Sequence, residues 1–137
     1  PDEWRVMQTH TWLGAEAIEQ AERDVQEPVA FLVLAKEIAR WHHERWDGKG
    51  YPDGLAGEVI PVSARLMSLA DVFDALTSMR PYKRPWSTSD AIEYMQSQSG
   101  ISFDPVLLAL FFGLIPEIER IREKYNDTTE PLTNDRR

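Results

Sequence analysis

Residues 42–52 read H-H-E-R-W-D-G-K-G-Y-P, and residues 64–83 read A-R-L-M-S-L-A-D-V-F-D-A-L-T-S-M-R-P-Y-K. Together they decide the fold: a helical pattern breaks into a glycine-rich loop, and a second helix follows with basic residues past its end. Upstream of the break, Phe31, Leu32, Leu34, Ala35, Ile38 and Trp41 recur at helical spacing. Residues 47–61 hold four glycines and two prolines, so they read as a long loop, a kind of segment that is often functional in a compact domain. Beyond it, Ser63 to Met79 is expected to be helical, with Leu66, Leu69, Phe73 and Leu76 along one apolar stripe.

The rest of the chain repeats that grammar. Trp4, Met7, Leu13 and Ile18 predict an amphipathic helix over Glu3 to Arg23, and Pro28 suits the first turn of the next. Ser87 can cap a helix from Thr88, with Asp90 at the capping-box position, and that helix stops near Gly100. Asp104-Pro105 opens another as N-cap plus first-turn proline, ending near Gly113, and Pro116 begins a last one through Tyr125. Nothing alternates with period two for long enough to make a sheet. The fold class is therefore all-α, one domain over residues 1–125, with 126–137 expected as a flexible tail.

With 137 residues and 42% hydrophobic content, the chain can bury a single core. A formal net charge of -8 argues against a protein that coats a nucleic-acid polymer, which would present a basic face. An anionic small substrate stays possible where local cations offset the global field. The absence of cysteine removes disulfides and thiolate ligands and is compatible with a cytoplasmic setting. No apolar run approaches the roughly 18 residues of a membrane span, so no membrane insertion is expected. Since the chain opens on Pro1, it is expected to be a piece of something longer.

His42 and His43, with Glu44 and Asp47 beside them, offer imidazole and carboxylate ligands suited to Fe, Mn or Zn. Adjacent helical residues point about 100° apart, so on a helix these two would serve neighbouring metals, or one metal and a substrate. The plainer alternative is a surface helix end whose basic side chains suit the C-terminal dipole. Asp71 sits among Leu69, Ala70, Val72 and Phe73, where a carboxylate is costly unless bound to metal or paired, for instance with Arg65 or Arg80. Asp74 follows on nearly the same face. Arg80 and Lys83 suit phosphate oxygens, or else simply cap the helix. Tyr51 offers a flat face and a hydroxyl, and Pro52 stiffens its turn; the alternative is that Tyr51 fills the core. Trp41 and Trp46 read as packing residues.

This ordered series, from His42 to Lys83, resembles the second half of an HD-GYP domain, a family of bacterial metal-dependent phosphodiesterases in the HD superfamily that hydrolyse cyclic di-GMP. The similarity runs from Glu3 to Tyr125, but the His-Asp doublet that names the family is absent from this chain. The resemblance implies that the chain is the C-terminal part of such a domain, and that its first half lies upstream. It implies His10, His42, His43 and Asp71 as metal ligands of a dinuclear site, with Fe or Mn the natural ions. Asp71 and Asp74 become the catalytic carboxylates, and Tyr51, Pro52, Asp74, Arg80 and Lys83 the substrate contacts. The parent would cleave cyclic di-GMP to linear pGpG and onward to GMP, in a cytoplasmic two-component signalling system, while this piece alone would be inactive and homo-oligomeric. The GYP loop is linked in the family to diguanylate cyclase (GGDEF) partner domains. The rival reading is a non-catalytic signalling module that binds cyclic dinucleotide or such a partner, and a related substrate such as cyclic GMP-AMP stays open.

Overall fold

The computed structural model describes residues 2–24 and 30–126. Pro28 and residues 127–137, on which the second-helix start and most of the expected tail fall, lie outside the described residues. Among these residues six helices follow one another: α1 (Asp2–Asp24), α2 (Ala30–Trp41), α3 (Val62–Thr77), α4 (Thr88–Ser97), α5 (Pro105–Gly113) and α6 (Ile115–Asn126). A single 3₁₀ turn, Gly57–Val59, interrupts the loop between α2 and α3. Among the described residues there is no strand, only isolated bridges such as Arg80 with Lys83. The chain is all-α.

Local chemistry sets the boundaries. Ser87 Oγ accepts from the Asp90 N–H at 3.1 Å and starts α4. Asp104 caps α5 through the Val106 and Leu107 N–H groups, with Pro105 in the first turn. The same Asp104, nearly buried, takes Arg65 Nη1 at 2.6 Å. Arg65 Nε also donates to the Ile60 carbonyl, so one guanidinium ties the end of the loop and the start of α5 to α3.

The core lies between α3, α4, α5 and α6, where Leu69, Phe73, Ala91, Met95, Phe103, Leu108 and Ile115 pack together. Leu69 and Phe73 of the predicted α3 stripe are buried and Leu76 flanks the cluster, but Leu66 is 47% exposed. The expected first helix forms, over Asp2–Asp24, with most of its apolar stripe uncovered. Trp4, Met7 and Leu13 are exposed, and α1 meets α2 through the buried Thr11 and Ala15. At Gly14 an added Cβ would stand 3.5 Å from the Ala39 Cβ, so small residues set this contact. Periodicity reports an apolar face but not which face a neighbour covers.

Candidate metal centre and adjoining cavity

The histidines meet where three elements converge. α2 ends at Trp41, and His42 and His43 follow in the turn that closes it, the His42 N–H donating to the Ile38 carbonyl at 3.1 Å. Their ring centroids are 4.1 Å apart. From α1, His10 brings its ring to 5.0 Å from His43 and 5.7 Å from His42. One ligating nitrogen from each of the three can be chosen so that all lie within 4.8 Å of one another.

Their orientation suits ligation. His10 Nδ1 lies 2.5 Å from the Met7 carbonyl and His42 Nδ1 lies 2.6 Å from the Ile38 carbonyl. A carbonyl only accepts, so each Nδ1 carries the proton, and a neutral ring keeps its lone pair on Nε2. Burial, helped by His42 and His10 and opposed by Asp71, lowers the His43 pKa to about 4. His43 is thus neutral at physiological pH, the form that binds a cation. Asp71 Oδ2 lies 4.0 Å from His42 Nε2, and its side chain is 53% exposed because it opens to a cavity. Leu69 and Phe73 go to the core instead, and the alternative pairing of Asp71 with Arg65 or Arg80 is not made: Arg65 is taken by Asp104, and Arg80 lies 3.9 Å from Asp74.

The loop is held by Glu44, which the sequence offered as a ligand beside the histidines. Glu44 is 3% exposed, and its carboxylate accepts three backbone N–H groups: Asp53 at 2.7 Å and Gly54 at 3.1 Å on Oε1, and Leu55 at 3.0 Å on Oε2. It staples the loop and is spoken for, so it is not a free ligand beside His43. Asp47 is engaged too, with Arg45 and the Lys49 N–H, and those hydrogen bonds pull its pKa down. The usable signal was a carboxylate just before a glycine-rich run, since such a run is rich in free N–H donors. Close approach completes the loop. An added Cβ at Gly50 would lie 2.5 Å from both the Arg45 nitrogen and the His43 oxygen, so only glycine fits. The next residue, Tyr51, stacks on His43 with centroids 5.1 Å apart and planes 19° from parallel, and burial raises its phenol pKa. Pro52 follows through a cis peptide bond, and Asp53 takes Arg40 and the Trp41 indole N–H.

A cavity of about 650 Å³ opens beside the cluster, lined among others by His42, His43, Tyr51, Asp71, Asp74 and Arg80. Asp74 accepts from Ser78 Oγ at 2.7 Å. Pro52 and Lys83 are not among the lining residues, and the Lys83 ammonium lies 5.0 Å above the Trp86 ring. The cavity therefore combines an imidazole cluster, two carboxylates from one face of α3 and a guanidinium.

Comparison with known proteins bears on the family of the chain. A family model described as HD domain matches residues 1–107. A cyclic di-GMP phosphodiesterase of Vibrio cholerae is 44% identical over 126 residues, covering 92% of this chain and 25% of that protein. A 3'3'-cGAMP-specific phosphodiesterase 2 of the same organism is 41% identical, covering 91% of this chain and 23% of that protein. A crystal structure of a cyclic GMP-AMP specific phosphodiesterase of V. cholerae superposes with a TM-score of 0.56 at 26% identity, over 71% of this chain and 21% of that one. The chain thus spans about a quarter of the length of these curated relatives. No helix among the described residues is long and apolar enough to cross a membrane.

Proposed function

Because this chain belongs to the HD domain family, we propose that it supplies the metal ligands and one wall of the substrate cavity to a phosphodiesterase that hydrolyses cyclic di-GMP to pGpG and GMP. The observation that carries the reading is the convergence of His10, His42 and His43, with ligating atoms within 4.8 Å of one another at the edge of a cavity that also holds Asp71 and Arg80. Relatives named for cyclic di-GMP and for cyclic GMP-AMP support the substrate class, a cyclic dinucleotide.

The donor set fits a divalent cation: three imidazoles, the Nδ1 of His10 and of His42 each turned to a backbone carbonyl, and a carboxylate beside them. His10, His42, His43 and Asp71 would hold it, Fe or Mn suiting this mixture, and a second ion of a dinuclear centre would need ligands beyond these four. Bound there, such ions supply Lewis acidity toward a phosphate oxygen and make water a stronger nucleophile near neutral pH. Arg80 offers its planar fork to phosphate oxygens where charge grows in the transition state. Asp74, 3.9 Å from it, orients that fork and can accept a proton from water or a ribose hydroxyl. Lys83, whose N–H meets the Arg80 carbonyl at 3.4 Å, adds positive charge on the same turn. Tyr51, fixed by its stack on His43 and by Pro52, offers an aromatic edge to a base. The exposed Trp4, Met7 and Leu13 of α1 suit a second copy, the loop through Tyr51 and Pro52 suits a partner such as a GGDEF domain, and a cytoplasmic two-component setting agrees with that role.

The test is hydrolysis of cyclic di-GMP by the intact protein loaded with Mn²⁺ or Fe²⁺. Turnover that is lost in His43→Ala and Asp71→Ala, with bound metal reduced in both, is the expected result. A metal-loaded protein that leaves cyclic di-GMP uncleaved overturns the reading.

A further inference from the structure

A second cleft, of about 480 Å³, lies between the α3–α4 connection and α4, lined by Trp86, Asp90, Glu93, Tyr94 and Ser97. Tyr94 also lines the main cavity, so the two spaces share its ring as a common wall. Trp86 and Tyr94 stand edge to face with centroids 5.7 Å apart. The Trp86 backbone is fixed by its N–H, which donates to the Leu76 carbonyl of α3 at 2.8 Å. Asp90, Glu93 and Ser97 recur at spacings of three and four and therefore occupy one face of α4. Among the described residues, neither the Asp90 nor the Glu93 carboxylate has a hydrogen-bond or ion-pair partner.

We propose that this cleft seats the second nucleobase of the cyclic dinucleotide whose phosphates lie in the main cavity, and that Asp90 and Glu93 select guanine there. The inference rests on the reading given above. A cyclic dinucleotide carries two bases on one small ring, so a site that meets one base at Tyr51 and the phosphates at Arg80 must place the other base nearby. Aromatic faces take a base of any identity. Two unpaired carboxylates exclude a phosphate from this cleft by like charge. They favour instead a neutral edge rich in donors. Guanine presents N1–H and the N2 amino group side by side, which a carboxylate accepts together. Adenine presents a lone pair at N1, and against a carboxylate that pairing is repulsive. Lys83, above Trp86, adds positive charge beside the cleft for a phosphate on the ribose that carries this base.

The experiment compares three substrates with the intact, metal-loaded protein: cyclic di-GMP, cyclic di-AMP, which has no guanine, and bis(p-nitrophenyl) phosphate, a phosphodiester with no nucleobase. Trp86→Leu is expected to lower kcat/KM for cyclic di-GMP, relative to that for bis(p-nitrophenyl) phosphate, by about 5- to 150-fold, the range a lost base stack produces. Asp90→Asn and Glu93→Gln, both isosteric and exposed, are expected to shrink the preference for cyclic di-GMP over cyclic di-AMP without moving the thermal midpoint. Unchanged substrate ratios in the carboxylate variants overturn the guanine assignment, and an unchanged ratio in Trp86→Leu overturns the cleft itself. If wild type turns over none of the three, the phosphodiesterase reading falls separately. The cleft is then judged by equilibrium binding of cyclic di-GMP, with weakening in Trp86→Leu required and undiminished or absent binding counted against it.

Discussion

Replacing Glu44 by glutamine tests whether the loop and the histidine cluster are one unit. The carboxylate accepts the Asp53 and Gly54 N–H groups on Oε1 and the Leu55 N–H on Oε2, in a nearly buried position. Glutamine keeps one oxygen, which would stay with the Asp53 and Gly54 donors. Its amide nitrogen must then face the Leu55 N–H, donor against donor. A hydrogen bond to a charged group contributes about 1.5–3 kcal/mol, and the two that remain weaken once their acceptor is neutral. The three bonds share one carboxylate and are not additive. Glu44→Gln should therefore cost about 3 kcal/mol, the upper range for one such bond lost. Urea denaturation reads that cost, and amide exchange at residues 53–55 locates it. Because Glu44 adjoins His43, and the loop it holds carries Tyr51 onto the His43 ring, metal affinity should fall about 10–100-fold, as when an outer partner of a ligand is lost. Titration with Mn²⁺ reads this second effect. A variant within about 0.5 kcal/mol of wild type, the range of an ordinary surface change, with unaltered exchange at 53–55 would refute the staple.

The same geometry makes other expectations. Gly50→Ala places a Cβ 2.5 Å from two backbone atoms that cannot yield, so His43 and Tyr51 must shift; Mn²⁺ affinity should drop and circular dichroism should show the helices retained. Arg65→Met leaves the Asp104 carboxylate buried without its cation, and denaturation should show a loss of about 3 kcal/mol, with the N-cap hydrogen bonds limiting the damage. The Arg40 and Trp41 hydrogen bonds hold the Asp53 pKa below its ordinary 3.8, so their stabilisation is complete above that value and is lost as pH falls through the lower folded value. The thermal-midpoint gap between wild type and Asp53→Asn should accordingly stay constant at neutral pH and close only in strong acid. Hydrogen exchange in α1 should slow on adding Mn²⁺ more than exchange in α3, because α1 carries a ligand but docks through small residues, whereas Leu69 and Phe73 anchor α3 in the core.

Much of the fold was legible because its punctuation is local. Ser87 and the Asp104-Pro105 pair act within one turn of themselves, and the glycine-rich run breaks the helical pattern regardless of its surroundings. The misplaced stripes share another cause. Leu66 and the Trp4, Met7, Leu13 series have helical periodicity, but which apolar residues are covered depends on helix packing, and packing is set by residues distant in sequence. The bond from Arg65 to Asp104 spans 39 residues and left no local trace. Nor did the sequence show that His10, 32 residues before His42, would bring its ring to 5.7 Å from it.

The site itself was legible in its types and not in its supports. Histidine and aspartate announce ligand chemistry by their side chains, so His42, His43 and Asp71 stood out before any geometry. What makes them usable is a set of backbone partners that no motif spells out. The Met7 and Ile38 carbonyls fix which nitrogen of His10 and His42 is free, and the Glu44 staple fixes the chain just past His43. The two carbonyls and the three N–H groups that Glu44 accepts are main-chain groups, and they become specific only when the fold aims them. Lys83 illustrates the converse. Its ammonium advertises phosphate binding, yet its nearest aromatic neighbour is Trp86, beside a second cleft that shares Tyr94 with the first. A charge read from sequence therefore names a chemistry. Only the surrounding groups decide which part of a ligand that chemistry meets, and here they extend the candidate site from the histidines, past Arg80, to the exposed carboxylates of α4.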